Sequence, residues 1–138
     1  MNITIEAVPQ EHILSIWGTV KPFIERVVDN IEDSDYSTEH VLAYLMIEQW
    51  MLIIAYDEHN YILGVVTVQL IDYPFNRVAF ITGISGRGIV NRYNYEKLKS
   101  LLKQYGASKI QGYGRASITR LYRTLDINSK ATLLEAII

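Results

Sequence analysis

Residues 61–71, Tyr-Ile-Leu-Gly-Val-Val-Thr-Val-Gln-Leu-Ile, constrain this chain more than any other stretch. They are rich in β-branched side chains and apolar at odd and even positions alike. A strand with that pattern is covered on both faces and sits inside a sheet rather than at its edge. The expectation is an α/β domain, with a mixed central sheet and helices on both faces.

The flanks extend this reading. Residues 51–56 form a strand, joined to the central one by the turn Asp57-Glu58-His59-Asn60. Asp72-Tyr73-Pro74-Phe75-Asn76 turns the chain into a further strand over 77–82. Upstream, residues 3–8 alternate as a first strand. Pro9 and Gln10 open a helix whose stripe is Ile13, Leu14, Trp17, Val20, Ile24, Val27, Val28 and Ile31, with Pro22 expected to kink or split it. The acidic stretch 32–35 reads as a loop. Ser37 or Thr38 caps a second helix that turns Val41, Leu42, Leu45 and Met46 inward. Downstream come a glycine-rich loop at 83–88 and a helix over 93–105. That helix has Leu98, Leu101 and Leu102 inward, Lys97, Lys99 and Lys103 solvated, and Gly106 as its stop. A strand at 108–113, a helix at 117–125 and a last strand at 132–138 complete the order β-α-α-β-β-β-α-β-α-β in one domain, 1–138.

The loop-to-helix step at 83–93 reads as a turn, and it is also a place where an anion could bind. Unpaired N–H groups at a helix start, with the helix dipole behind them, attract an anion, and glycine lets a phosphate approach the backbone. The strand–loop–helix–strand order also predicts that 77–82 and 108–113 are parallel neighbours, joined by a right-handed crossover.

Composition narrows the function classes. The chain contains no cysteine, which excludes disulfides, thiolate metal sites and thiol nucleophiles. Its longest apolar run, residues 50–56, is far short of the roughly 20 residues a membrane-spanning helix needs. The start Met-Asn-Ile-Thr-Ile-Glu carries no export pattern, which fits a cytoplasmic product. His12, His40 and His59 lack ligand-like spacing, and no Ser-His-Asp set or carboxylate pair is visible.

Charge is divided unevenly. Residues 1–72 hold twelve acids against Lys21 and Arg26, whereas 73–138 hold eleven bases against Glu96, Asp126 and Glu135. Three readings stay open: attraction between the halves within one fold, a phosphate-bearing ligand near the basic half, and self-association or protein partners met through the acidic and basic surfaces. Nucleic acid is a further candidate partner, through Arg87, Arg92, Lys97, Lys99, Lys103, Arg115, Arg120 and Arg123, with Tyr93 and Tyr113 available to stack.

The element order resembles that of the GNAT acyltransferases over nearly the whole chain. That family places a loop of pattern Gln/Arg-x-x-Gly-x-Gly/Ala after its fourth strand to hold the coenzyme A diphosphate. The corresponding stretch here is Ser85-Gly86-Arg87-Gly88-Ile89-Val90, where Gly88 matches and Ser85 and Val90 depart. The resemblance makes these six the candidate cofactor-binding residues. A second stretch, residues 115–127, resembles the family's Asn-x-x-Ala-x-x-Leu-Tyr-x-x-x-Gly-Phe. Leu121 and Tyr122 agree, whereas Arg115, Ile118, Asp126 and Ile127 depart. The resemblance makes Tyr122 the candidate general acid for a departing thiolate; the other reading is a tyrosine that packs a helix on the sheet. The family's carboxylate on the fourth strand has no counterpart in Arg77-Val78-Ala79-Phe80-Ile81-Thr82.

A narrower resemblance, to small GNAT-like proteins of tailed bacteriophages, is carried by Ile16-Trp17, Tyr73-Pro74, the 83–88 loop and Gly114-Arg115. It implies a fold retired from catalysis and kept as a structural or interaction component of a virion, without a cofactor. The alternative is an N-acetyltransferase that uses acetyl-CoA. Retirement predicts a blocked cleft, with the side chain of Val90 in the way.

Overall fold

A computed structural model gives the structure of the chain and describes residues 2–31, 34–89, 91–114 and 123–138. Five strands form one sheet in the order β1-β2-β3-β4-β5: Thr4–Ala7, Met51–Tyr56, Ile62–Asp72, Arg77–Gly86 and Lys109–Gly112. The first four are antiparallel to their neighbours, and β5 is parallel to β4, with Val78 opposite Lys109 and Ile81 opposite Gly112. The crossover between β4 and β5 carries α3, Arg92–Gln104. The two other helices are α1, Ile13–Asn30, and α2, Thr38–Met46.

The apolar alternation of β2 and β3 builds two cores. Leu52 and Val65 turn to one face, against Val20 and Ile24 of α1 and Val41 and Leu45 of α2. Ile53, Ala55, Val66 and Val68 turn to the other, against Tyr95, Leu98 and Leu102 of α3. Helices therefore cover both faces, as the residue 61–71 pattern requires. Each fully buried Leu or Ile contributes about 1.5–3 kcal/mol, so burial rather than helix propensity fixes these helices.

Local chemistry sets the ends. Ser37 caps α2, accepting from the His40 N–H while His40 Nδ1 accepts from the Ser37 N–H. His40, exposed at the surface, is thus half of a capping box. Asp57 Oδ1 accepts from the N–H groups of His59 and Tyr61 and closes the β2–β3 turn.

Several expectations need correction. Pro22 does not split the first helix; α1 runs through it, because losing the one hydrogen bond to the Gly18 carbonyl is outweighed by the buried stripe. Leu14 leaves that stripe and is 62% exposed. Lys97 is only partly solvated: it donates to the Ile3 carbonyl and ties α3 to the residue just before β1. Gly83–Gly86 do not form a loop but continue β4, with Gly64 opposite Gly86. Residues 132–138 form no strand and stand exposed. Of the helix expected over 117–125, residues 117–122 lie outside the described residues.

Candidate functional site

The site begins with a fault in the β3–β4 ladder. Val68 faces Ile81 but Thr67 faces Gly83, so Thr82 is an extra residue that pairs with neither. A bulge of this kind bends its strand and increases its twist. The β4–β5 ladder stops at the same level, at Ile81 and Gly112, while β4 runs on to Gly86. The two parallel strands therefore part at the bulge. Beside this point the surface opens into a broad cleft whose lining includes Ile81, Thr82 and Ser85 of β4, Ile110 of β5, and Tyr113 just after it.

Hydroxyl groups hold the bulge. Thr82 Oγ1 donates to Thr67 Oγ1 at 2.7 Å, and the Tyr36 hydroxyl donates to the Thr82 carbonyl at 3.3 Å. Burial, followed by the charge of Asp35, raises the pKa of Tyr36 above the ordinary tyrosine value. Its proton therefore stays in place at neutral pH. Nothing in the sequence pointed to Tyr36: it lies in a polar connection far from the glycine-rich stretch, and only the fold brings it to β4.

The six residues proposed from the sequence divide between strand and turn. Ser85 is buried in β4 and lines the cleft, and Gly86 closes the strand. Arg87 donates its N–H to the Leu63 carbonyl at 2.9 Å, while its side chain is exposed. Gly88 has φ +92°, and a side chain there would meet only Ile3, no closer than 3.8 Å. Among the described residues, the N–H groups of Gly88 and Ile89 reach no acceptor, and no carboxylate pairs with Arg87. Val90 and Tyr122 lie outside the described residues.

The start of α3 is tightly organised. Asn91 caps it, its side chain accepting from the Asn94 N–H at 2.9 Å. Asn94 Nδ2 donates back to the Gly88 carbonyl, which fixes the turn, and Asn94 Oδ1 is buried without a partner. Two N–H donors at 88–89 and a guanidinium at 87 that meet no partner among the described residues, with the positive end of α3, fit an anion such as a diphosphate. Asn94 Oδ1, an acceptor, does not belong to that anion set.

Arg92 has another partner. It pairs with Asp126 at 3.4 Å and with Glu96 at 3.7 Å, and donates to the Thr124 carbonyl. Asp126 has φ +63°, a left-handed conformation that an Asp tolerates better than most side chains. Leu125 beside it is only 5% exposed, and Ile127 packs against the same core. The departures from glycine and phenylalanine at 126 and 127 therefore preserve the backbone bend and the apolar anchor.

Glu96 and Asp126 are the carboxylates lining the cleft among the described residues, and Arg92 holds both. Among the described residues, no acid lining the cleft is left without an ion-pair partner. Among the described residues no cluster of metal ligands exists, and no helix is long and apolar enough to cross a membrane.

The sequence matches no protein-family model and no curated protein. Solved structures do match. A possible acetyltransferase from Clostridium difficile 630 superposes with a TM-score of 0.73 at 12% identity, over 100% of this chain and 99% of its own. An aminoglycoside acetyltransferase from an uncultured soil metagenomic sample, in complex with sisomicin, gives 0.70 at 13% identity, over 99% of this chain and 95% of its own. Glucosamine-6-phosphate N-acetyltransferase from Arabidopsis thaliana gives 0.64 at 9% identity, over 99% of both chains. With its mixed five-stranded sheet, two-sided helical cover and parting of parallel strands, this chain has the GNAT acetyltransferase fold.

Proposed function

We propose that the chain binds an acyl-coenzyme A in the β4–β5 cleft and transfers the acyl group to an amine. The observation that carries this reading is the open cleft at the Thr82 bulge, flanked by the unpaired N–H groups of Gly88 and Ile89. In this reading those donors, the start of α3 and Arg87 hold the diphosphate. The thioester supplies an activated acyl carbon: a C–N bond forms to the amine, the C–S bond breaks, and the thiolate takes a proton. Tyr122 is the candidate donor of that proton. With no unpaired carboxylate lining the cleft among the described residues, the amine arrives neutral or loses its proton to water, and positioning carries the rate. Release of free thiol from acetyl-CoA in the presence of a panel of primary amines tests this. The protein has no cysteine, so a thiol reagent reports on coenzyme A alone. Amine-dependent release supports the reading, and its absence with every amine opposes it.

One observation favours a second reading. The cleft carboxylates are both held by Arg92, leaving the bulge with hydroxyls only. A fold retired from catalysis, serving as a structural or interaction part of a virion, would have no use for a base there. Its acidic and basic halves would then be its contact surfaces. In this case the wild type binds no acetyl-CoA, and Val90→Gly with Ser85→Gln restores binding.

A further inference from the structure

A row of three side chains crosses the sheet just before the bulge. Gln69 of β3 is paired with Phe80 of β4, and Phe80 with Gln111 of β5. Residues paired in this way share one face of a sheet, and neighbouring strands lie about 4.8 Å apart. The row therefore sets an aromatic ring between two primary amides. All three residues are half-buried, and among the described residues neither amide side chain has a hydrogen-bond partner. Tyr113 meets Phe80 edge to face, with ring centres 5.2 Å apart and planes at 72°. The two rings make a corner into which a third flat ring fits, lying on one and touching the edge of the other.

The first helix leaves this row open. It covers β4 farther along, with Val27 against Gly83 and Phe23 against Gly86, and it ends at Asn30. From Val27 to Asn30 a helix advances about 4.5 Å, whereas the strand from Gly83 back to Phe80 spans up to about 10 Å. The helix thus stops short of Phe80. Thr82 follows Phe80 by two residues, at the bulge. Its hydroxyl donates to Thr67 and keeps lone pairs that can accept an N–H from a ligand.

Protonation selects among amines. An alkyl amine of the lysine type has a pKa of about 10.4, so only about 0.04% of it carries a free lone pair at pH 7. Glu96 and Asp126, the acids lining the cleft among the described residues, are both held by Arg92. Asp35, whose charge reaches Tyr36, is exposed. An arylamine shares its lone pair with the ring, is neutral at pH 7 and needs no base before it attacks.

We propose that the acceptor is a planar arylamine, seated on Phe80 between Gln69 and Gln111 with its amino group at Thr82. The proposal rests on the acyl-transfer reading and adds the substrate class to it. The nitrogen lone pair forms the C–N bond to the acyl carbon, and the C–S electrons leave with sulfur. Nitrogen sheds one proton and the thiolate takes up one, so no further reactant is consumed.

Acetyl-CoA with aniline, benzylamine or cyclohexylamine at pH 7 separates the ring from the protonation state, because benzylamine joins a ring to a basic nitrogen. Amide formation above the protein-free rate is read by chromatography. The kcat/KM for aniline should exceed that for cyclohexylamine at least tenfold, with benzylamine between them. Phe80→Leu keeps an apolar side chain but removes the ring, and should raise KM for aniline at least fivefold while changing that for cyclohexylamine less than twofold. Gln111→Ala, on the last strand of the sheet, should show the same split. Without coenzyme, acetanilide should bind the wild type and bind both variants more weakly. Acetanilide affinity unchanged in both variants overturns the proposal. Cyclohexylamine or benzylamine reacting as fast as aniline overturns the substrate class and leaves acyl transfer standing, whereas failure of every amine overturns both.

Discussion

The Tyr36 hydroxyl donates to the backbone carbonyl of Thr82 at 3.3 Å, and so braces the bulge where β5 leaves β4. The extra residue of a bulge lacks ladder partners, and here side-chain hydroxyls take their place.

Tyr36→Phe should therefore cost about 1 kcal/mol in urea unfolding at neutral pH, the net worth of one partly buried hydrogen bond. The raised pKa of Tyr36 sets the pH dependence. The contribution of the hydroxyl is fully present below the unfolded value of 10.0 and is lost as pH rises through the higher folded value. The difference between wild type and Tyr36→Phe should be flat from pH 6 to 9 and shrink above pH 10. A difference that grows with alkali contradicts the assignment.

Gly86 and Gly88 separate strand geometry from loop geometry. A Cβ at Gly86 would lie 2.7 Å from Gly64 Cα and 2.8 Å from Phe23 Cε1, in a backbone with φ +87°. Gly88 has a similar φ but open space around it. Gly86→Ala should cost more than about 3 kcal/mol, and Gly88→Ala only about 1–2 kcal/mol of left-handed strain. Chemical denaturation of the two variants side by side checks the order.

Asp126 gives a converse case. Asp126→Gly should be close to neutral, losing an exposed ion pair to Arg92 but relaxing the backbone. Asp126→Val, β-branched in a left-handed position, should lower the melting temperature clearly. Equal melting temperatures for the two variants would show that the conformation at 126 does not matter.

Asp72 and Arg77 form an exposed ion pair at 2.6 Å, and the hydrogen bond from Arg77 lowers the Asp72 pKa below its usual 3.8. A lowered carboxylate pKa stabilises the fold above the unfolded value, and this is lost as pH falls through the folded one. The melting temperatures of wild type and Asp72→Asn should thus differ slightly at pH 6 and converge as pH falls below 3.8 and through the lowered folded value. A gap that widens in acid opposes this reading. Arg77 also holds the Tyr105 carbonyl at 2.8 Å, so Arg77→Ala should loosen the end of α3 as well.

The sequence makes the sheet interior legible because residues 61–71 leave a strand no exposed face, and the crossover rule then orients β5. It misleads at 132–138, where the strand pattern is real but pairing depends on an edge that local sequence does not specify. Gly83–Gly86 read as a loop because glycine clusters mark turns, although here Gly86 lets β4 approach β3 at Gly64 and Gly83 makes room for Val27 of α1. Gly88 was legible as a candidate loop glycine through the resemblance of residues 85–90 to the family's loop pattern. Asp126 could have been found as a glycine substitute, since Asp ranks high among side chains that accept left-handed backbone. Tyr36 could not, because its role depends on a bulge that exists only in the assembled sheet.

Calorimetric titration of acetyl-CoA into the wild type and into Gly88→Val tests the central claim most directly. The account predicts sub-millimolar binding to the wild type, and a loss of at least tenfold in a folded Gly88→Val whose side chain crowds the free N–H groups at 88 and 89. Equal affinity for both proteins, or no heat with the wild type, would contradict it.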